Sequence, residues 1–139
     1  MNWKELLATK YPWLFNSPPW RLKEGEDENK RYPVCIDVDD GWKSLIEDLA
    51  RGLDDLSLKV SPEDLNMMYV VQIKEKFGGL RFYMSSCTEE MYDLIAQAEN
   101  DSYSICEKCG KSGKNRTGGW YKTLCDEHAR ELGYEYDED

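Results

Sequence analysis

Apolar side chains recur along this chain with two different periods, and the switches between them divide it into blocks. Trp3, Leu6, Leu7 and Tyr11 have helical spacing within Trp3 to Leu14. Pro12 predicts the end of that helix, because the residue before a proline is pushed out of the α region. Asn16 to Trp20, with its two prolines, reads as loop. Lys23 to Arg31 has no apolar side chain and reads as a solvated loop, the alternative being an ordered acidic contact surface. Trp42, Leu45, Ile46, Leu49 and Leu53 line one face of the clearest amphipathic helix, Asp40 to Leu53, with Asp39 or Asp40 as its N-cap.

At Val70 the period changes to two. Val70 to Phe77 and Leu80 to Ser85 flank Gly78-Gly79, which predicts a β-hairpin with a two-residue primed turn, since both glycines accept positive φ. That loop sets Phe77 opposite Leu80, Glu75 opposite Phe82 and Ile73 opposite Met84 on an apolar face. Lys76, Lys74 and Gln72 then oppose Arg81, Tyr83 and Ser85 on a basic one. Glu75 breaks the apolar face, so it marks a strand edge or a buried carboxylate with a basic partner elsewhere. Ser86 or Thr88 opens another helix, with Met91, Tyr92, Leu94, Ile95 and Ala98 as its stripe, running to about Asp101.

The next block carries the strongest chemistry. Cys106, Cys109, Cys125 and His128 form C-x2-C-x15-C-x2-H. Two ligand pairs, each able to turn both side chains onto one ion, meet the needs of tetrahedral zinc, and three thiolates with one imidazole make a closed structural site. Gly110 supplies the permissive backbone of a knuckle, the second ligand pair opens a helix from Leu124 to Leu132, and Trp120-Tyr121 fits a short strand. His128 is the only histidine. Once it binds metal, none is left for a Ser-His-Asp triad, a Cys-His pair or an HNH-type nuclease. The zinc-deaminase pattern also fails, because no H-x-E precedes the C-x2-C pair.

Composition adjusts this picture. The chain has 139 residues, 40% hydrophobic and 12% aromatic, enough for one core. No apolar run can cross a bilayer and the N-terminus has no signal-peptide core, so the expectation is a cytoplasmic protein without membrane partners. Cys35 and Cys87 are then expected as buried thiols. A formal charge of −10 argues against non-specific nucleic-acid coating. The charge is uneven: seven acids face two bases from Asp37 to Asp55, while Lys108, Lys111, Lys114, Arg116 and Lys122 face Glu107 alone from Cys106 to Lys122. Those bases either pack internally or serve a partner.

Together these readings predict an α+β protein: a small antiparallel hairpin sheet, helices and a C-terminal zinc knuckle. Its body spans 1–104, the Cys₃His element 105–133 packs on it, and 134–139 is an acidic tail. The order of motifs resembles a family of small phage and prophage proteins. Tyr11-Pro12-Trp13-Leu14-Phe15 matches the opening, Gly41-Trp42 the helix start and Gln72 to Tyr83 the hairpin, followed by the C-x2-C-Gly and C-x2-H pairs. The resemblance implies a phage-encoded zinc protein in the host cytoplasm. Through that origin the resemblance further implies action by binding and disabling a host enzyme or defence factor, or by sequestering a nucleotide signal. Three functions follow as expectations. The first is binding of a host protein through an acidic and aromatic surface. The second is binding of a nucleotide or small anion on the hairpin face by Gln72, Lys74, Lys76, Arg81 and Tyr83. The third, a metal-dependent nuclease, rests on Gln72-Ile73-Lys74 after Glu63-Asp64.

Overall fold

The computed structural model describes residues 2–17, 32–117 and 120–134; Lys23 to Arg31 and Glu135 to Asp139 lie outside them. Asn2 caps α1 (Trp3–Lys10) by accepting the Glu5 N–H. The single helix expected to Leu14 is two helices. Tyr11, at φ −125° and ψ 68°, leaves helical geometry, and Pro12 restarts the chain as the first residue of α2 (Pro12–Phe15), where its missing N–H costs nothing. The break turns Leu14 and Phe15 fully into the core, while Leu6, on the expected stripe, is 50% exposed. The expected loop after Phe15 begins instead as β1 (Asn16–Ser17), antiparallel to β2 (Tyr32–Pro33). Asn16 is buried because its side-chain amide donates to the carbonyls of Ala8 and Pro12.

β3 (Ile36–Asp37) runs parallel to β4 (Val70–Lys76), which pairs antiparallel with β5 (Gly79–Met84). A parallel pair needs a crossover. Here it is a tight helical turn (Asp40–Trp42), α3 (Lys43–Ser57) and α4 (Pro62–Leu65). α3 continues past the expected end at Leu53, burying Ile46, Leu49, Ala50 and Leu53. Neither Asp39 nor Asp40 caps it with a side chain; Asp40 instead accepts the indole N–H of Trp3 at 2.8 Å. Trp13 donates likewise to Asp54 at 2.8 Å, so two buried or half-buried indoles tie the N-terminal helices to the crossover.

The hairpin register differs from the expected one by one step of the loop. The turn residues are Phe77 and Gly78, at φ 55° and 83°, and the pairs are Gln72 with Tyr83, Ile73 with Phe82, Lys74 with Arg81, Glu75 with Leu80, and Lys76 with Gly79. Gly79 is in the strand because the Tyr103 ring occupies the space a Cβ there would need. The two faces keep their composition, since a shift of two in pairing leaves the alternation unchanged. α5 (Glu89–Ser102), capped by Thr88, buries Met91, Ile95, Ala98 and Ser102 against β5 and α3. Tyr92 and Leu94, expected on that stripe, are exposed. α5 also closes the free sheet edge: Ser102 Oγ and the Glu99 carboxylate accept the N–H groups of Leu80 and Phe82, both at 2.9 Å.

The two cysteines outside the cluster are free, but Cys35 is exposed and Cys87 half-buried, with burial pushing the Cys87 thiol up. The expectation of buried thiols fails because both fall in short connections rather than on a core-facing stripe. Among the described residues, no helix is long and apolar enough to cross a membrane.

Candidate metal centre

The C-terminal element is a two-stranded ribbon, β6 (Lys114–Arg116) with β7 (Lys122–Leu124), followed by α6 (Asp126–Glu131). The strand expected at Trp120-Tyr121 starts one residue after them, and Trp120 is 85% exposed. The helix expected from Leu124 to Leu132 is shorter because Cys125 is its cap, its sulfur accepting the His128 N–H at 3.5 Å. On the other arm the chain folds back tightly. Cys106 N–H donates to Lys111 O at 2.7 Å and Gly110 N–H to Cys106 O at 2.8 Å, with Gly110 at φ 84°.

These two turns bring together the four side chains singled out from their spacing. The ligand atoms of Cys106, Cys109, Cys125 and His128 all lie within 4.8 Å of one another, so the set could hold a metal ion. His128 Nδ1 faces the sulfurs of Cys125, at 3.2 Å, and Cys106, at 3.7 Å; Cys109 and Cys125 sulfurs are 3.7 Å apart. The other ring nitrogen points to Glu131 at 4.0 Å, placing a carboxylate behind the imidazole. Burial alone would raise the Cys106 thiol, but backbone N–H groups of Cys125, Cys109 and Lys108 favour its thiolate and bring it below the ordinary value. Cys109 goes the other way, raised by desolvation and by the two neighbouring thiols.

The knuckle is fastened to the body by polar contacts that no spacing rule announces. Gly41 N–H donates to Glu107 O at 2.6 Å, and a Cβ on Gly41 would fall inside the carbonyls of Cys106 and Glu107. The Trp42 indole donates to Ile105 O at 2.9 Å. From the hairpin tip, Phe77 O accepts the Asn115 side chain at 3.1 Å and Gly78 O accepts the Thr123 hydroxyl at 2.6 Å. A carboxylate network lies along the seam. Glu107, 3% exposed, accepts the Asp39 N–H, and Lys122 sits 3.5 Å from its free oxygen and 3.1 Å from Glu75. Burial raises the Glu107 carboxyl above its ordinary value, opposed by the Asp39 N–H and Lys122. Lys122 is raised: the two carboxylates outweigh its own desolvation.

Glu75 is therefore a half-buried carboxylate with a basic partner, and its mismatch with the apolar face was the one sequence signal for this seam. Of the five bases on the knuckle, Lys108 pairs with Asp39 at 2.9 Å, Arg116 with Asp126 at 2.8 Å, and Lys122 with the two glutamates, while Lys111 and Lys114 are exposed. Arg116, 2% exposed, also donates to Leu124 O. Acids of the molecule itself thus pair with Lys108, Arg116 and Lys122.

The hairpin face assembles Gln72, Lys74, Lys76, Arg81 and Tyr83 on one side of β4 and β5. Arg81 is half committed, donating to Tyr103 Oη at 3.0 Å and to Leu80 O. Glu63 and Asp64 lie on α4 and not on the strand that carries Gln72 and Lys74. Among the described residues, the Cys₃His set is the one group of three or more metal-ligating side chains that could share an ion. Fold and site together define a small α+β protein with a knuckle whose Cys₃His set could hold a metal ion. Comparison with protein-family models, curated proteins and solved structures finds no match to this chain.

Proposed function

We propose that the chain is a zinc-stabilised binding module of the phage accessory type, which acts by docking on a host protein and not by catalysis. The observation that carries this reading is the closure of the metal centre. Ligand bonds of about 2.3 Å to sulfur and 2.0 Å to nitrogen put the corners of a tetrahedron roughly 3.5–3.8 Å apart; three of the six separations here are 3.2–3.7 Å and all are within 4.8 Å. Four protein ligands leave zinc no open position for water or substrate, so the ion holds the knuckle in shape. The chain's single histidine is one of the four, which leaves acid–base chemistry without its usual agent at neutral pH.

A docking role also fits the surface of α3 and α5. Asp55, Glu89 and Asp93 are exposed there, as are Leu58, 84%, and Tyr92, 63%; Asp48 and Glu90 are exposed too but pair with Arg51 and Lys59. Apolar anchors in an acidic field suit a basic groove on a partner, such as the nucleic-acid channel of a host enzyme. Mass spectrometry of the native protein should find one zinc per chain; well below one removes the reading. Tagged protein should then retain a host protein that a Tyr92→Ala, Leu58→Ser variant releases. Equal recovery by both, or none above background, sinks the docking claim while leaving the metal claim intact.

A second reading, anion or nucleotide binding by the hairpin face, is favoured by the convergence of Lys74, Lys76 and Arg81 on one open side. Calorimetry with nucleotides and inorganic phosphate, silent for all, would remove it.

A further inference from the structure

Phe77 is a costly choice at its position. The first residue of a primed two-residue turn needs positive φ, which favours Asn, Asp or Gly, yet a bulky aromatic holds φ 55° there with its ring 60% exposed. That ring meets Tyr121 edge-on at 5.9 Å; Tyr121 is 45% exposed, and its neighbour Trp120 is 85% exposed. Two separate elements, the hairpin tip and the loop entering β7, thus bring two exposed aromatic rings into contact, with the exposed Trp120 next to them in the chain.

Cations lead away from this contact. Lys76 Nζ lies 5.7 Å from the Phe77 ring centre, Lys74 and Arg81 are cross-strand partners on the same face, and Tyr83, 41% exposed, pairs with Gln72 beyond them. From the turn to the Gln72–Tyr83 pair is about 16 Å along the strand, at roughly 3.3 Å per residue. Of the acids near this row, Glu99 acts on Arg81 while accepting the Phe82 N–H, and Asp37 of β3 stands beside Lys74 on the side away from β5.

We propose that this row is a docking surface for a short single-stranded nucleic acid, its bases stacking on Tyr83, Phe77, Tyr121 and Trp120 and its phosphates held by Lys74, Lys76 and Arg81. A row of cations with aromatic rings at both ends offers what a strand needs, because every base has a face to stack and every linkage a charge to neutralise. A protein hot spot would instead ring its aromatics with apolar surface, whereas these border Lys76, Lys74 and Arg81. A free nucleotide would call for a concave pocket, whereas these rings stand out from the surface. The formal charge of −10 makes such binding local and salt-sensitive, with a slope of about −2 for three phosphates on a single strand.

The inference rests on the anion-binding reading of the hairpin face and adds the aromatic tip and a polymeric ligand. Its test is fluorescence anisotropy of a labelled twelve-residue oligo-dT strand titrated with the zinc-loaded full chain. Expected is saturable binding that weakens about 100-fold for a tenfold rise in salt. Phe77→Asn with Trp120→Ser should lose at least tenfold. Phe77→Asn keeps the turn folded because Asn suits positive φ, and thermal melting verifies this. A duplex of the same length should compete poorly. Three outcomes overturn the proposal: no oligonucleotide binding, binding unchanged in the aromatic variant, or equal binding of duplex. If inorganic phosphate or a mononucleotide binds in any of these cases, the anion reading survives and only the strand is lost.

Discussion

The body and the knuckle are held by different physics. The body closes one apolar cluster in which Trp42, Phe15, Leu14, Ile46, Leu53, Ile73, Leu80 and Met91 are essentially inaccessible, drawn from helices and sheet alike. The knuckle's own buried cluster is Cys106, Leu124, Cys125 and Ala129, with Tyr134 packed against it. Two of those four belong to the Cys₃His set. At roughly 25 cal/mol per Å² of buried apolar surface, so few small side chains fall short of the entropy cost of ordering the chain around them. The polar seam to the body, and a metal ion on the Cys₃His set as proposed, are what would make up the difference. Regions of one small protein can thus differ in what unfolds them: heat or a core cavity for the body, a chelator for the knuckle.

The largest effect expected from this contrast is loss of the metal. Metal-binding free energy in such sites is folding free energy, so Cys106→Ser or chelator treatment should cost at least about 4 kcal/mol. At this chain length that is roughly 15 °C in Tm, read by calorimetry. Hydrogen exchange should show 105–134 opening while Ile46, Leu53 and Ile73 stay protected; uniform loss of protection would mean the two regions are one cooperative unit. Gly41→Ala comes next, at about 3 kcal/mol, because the new Cβ meets the Cys106 and Glu107 carbonyls and lifts the knuckle off the body. The variant should retain zinc by mass spectrometry but bind it more weakly.

Lys122→Met should cost about 2–3 kcal/mol by leaving Glu75 and Glu107 without their shared cation. Its pH dependence tests the cause. Burial already raises the Glu107 carboxyl, and removing Lys122 raises it further. A folded-state value above the unfolded one favours the fold at low pH and weakens it as pH rises through the folded value. The gap between variant and wild type should therefore shrink as pH falls, measured by urea unfolding in the range where zinc stays bound. A gap independent of pH would assign the loss to packing. The smallest effect is Phe77→Asn, expected to stabilise by about 0.5 kcal/mol as relief of the left-handed strain exceeds the lost edge contact with Tyr121.

Much of the body could be read from the chain. The α3 stripe, the α5 stripe with its Thr88 cap and the two faces of the hairpin follow from local periodicity, which the backbone imposes on any sequence. The errors came where two elements meet. Gly79 looked like a turn residue, but Tyr103, more than twenty positions later, needs its missing side chain; Gly41 looked like helix punctuation, but Cys106 and Glu107 need its surface. The parallel strand β3 is two residues long, too short for any period to show. Lys108, Arg116 and Lys122 of the knuckle found acids of the molecule itself for the same reason, since charge along the chain says nothing of which acid lies opposite.

By itself, the sequence determined the two long helices, the hairpin strands and the four side chains of the candidate metal centre, because helix and strand periods and the C-x2-C and C-x2-H spacings are constraints within a few residues. Only the tertiary structure decided the hairpin register, the seam of Gly41, Trp42, Glu75, Glu107 and Lys122, and the contact between the exposed rings of Phe77 and Tyr121. Those depend on which surfaces approach one another closely enough to exclude a side chain or share a charge, and such approaches join residues far apart in the chain.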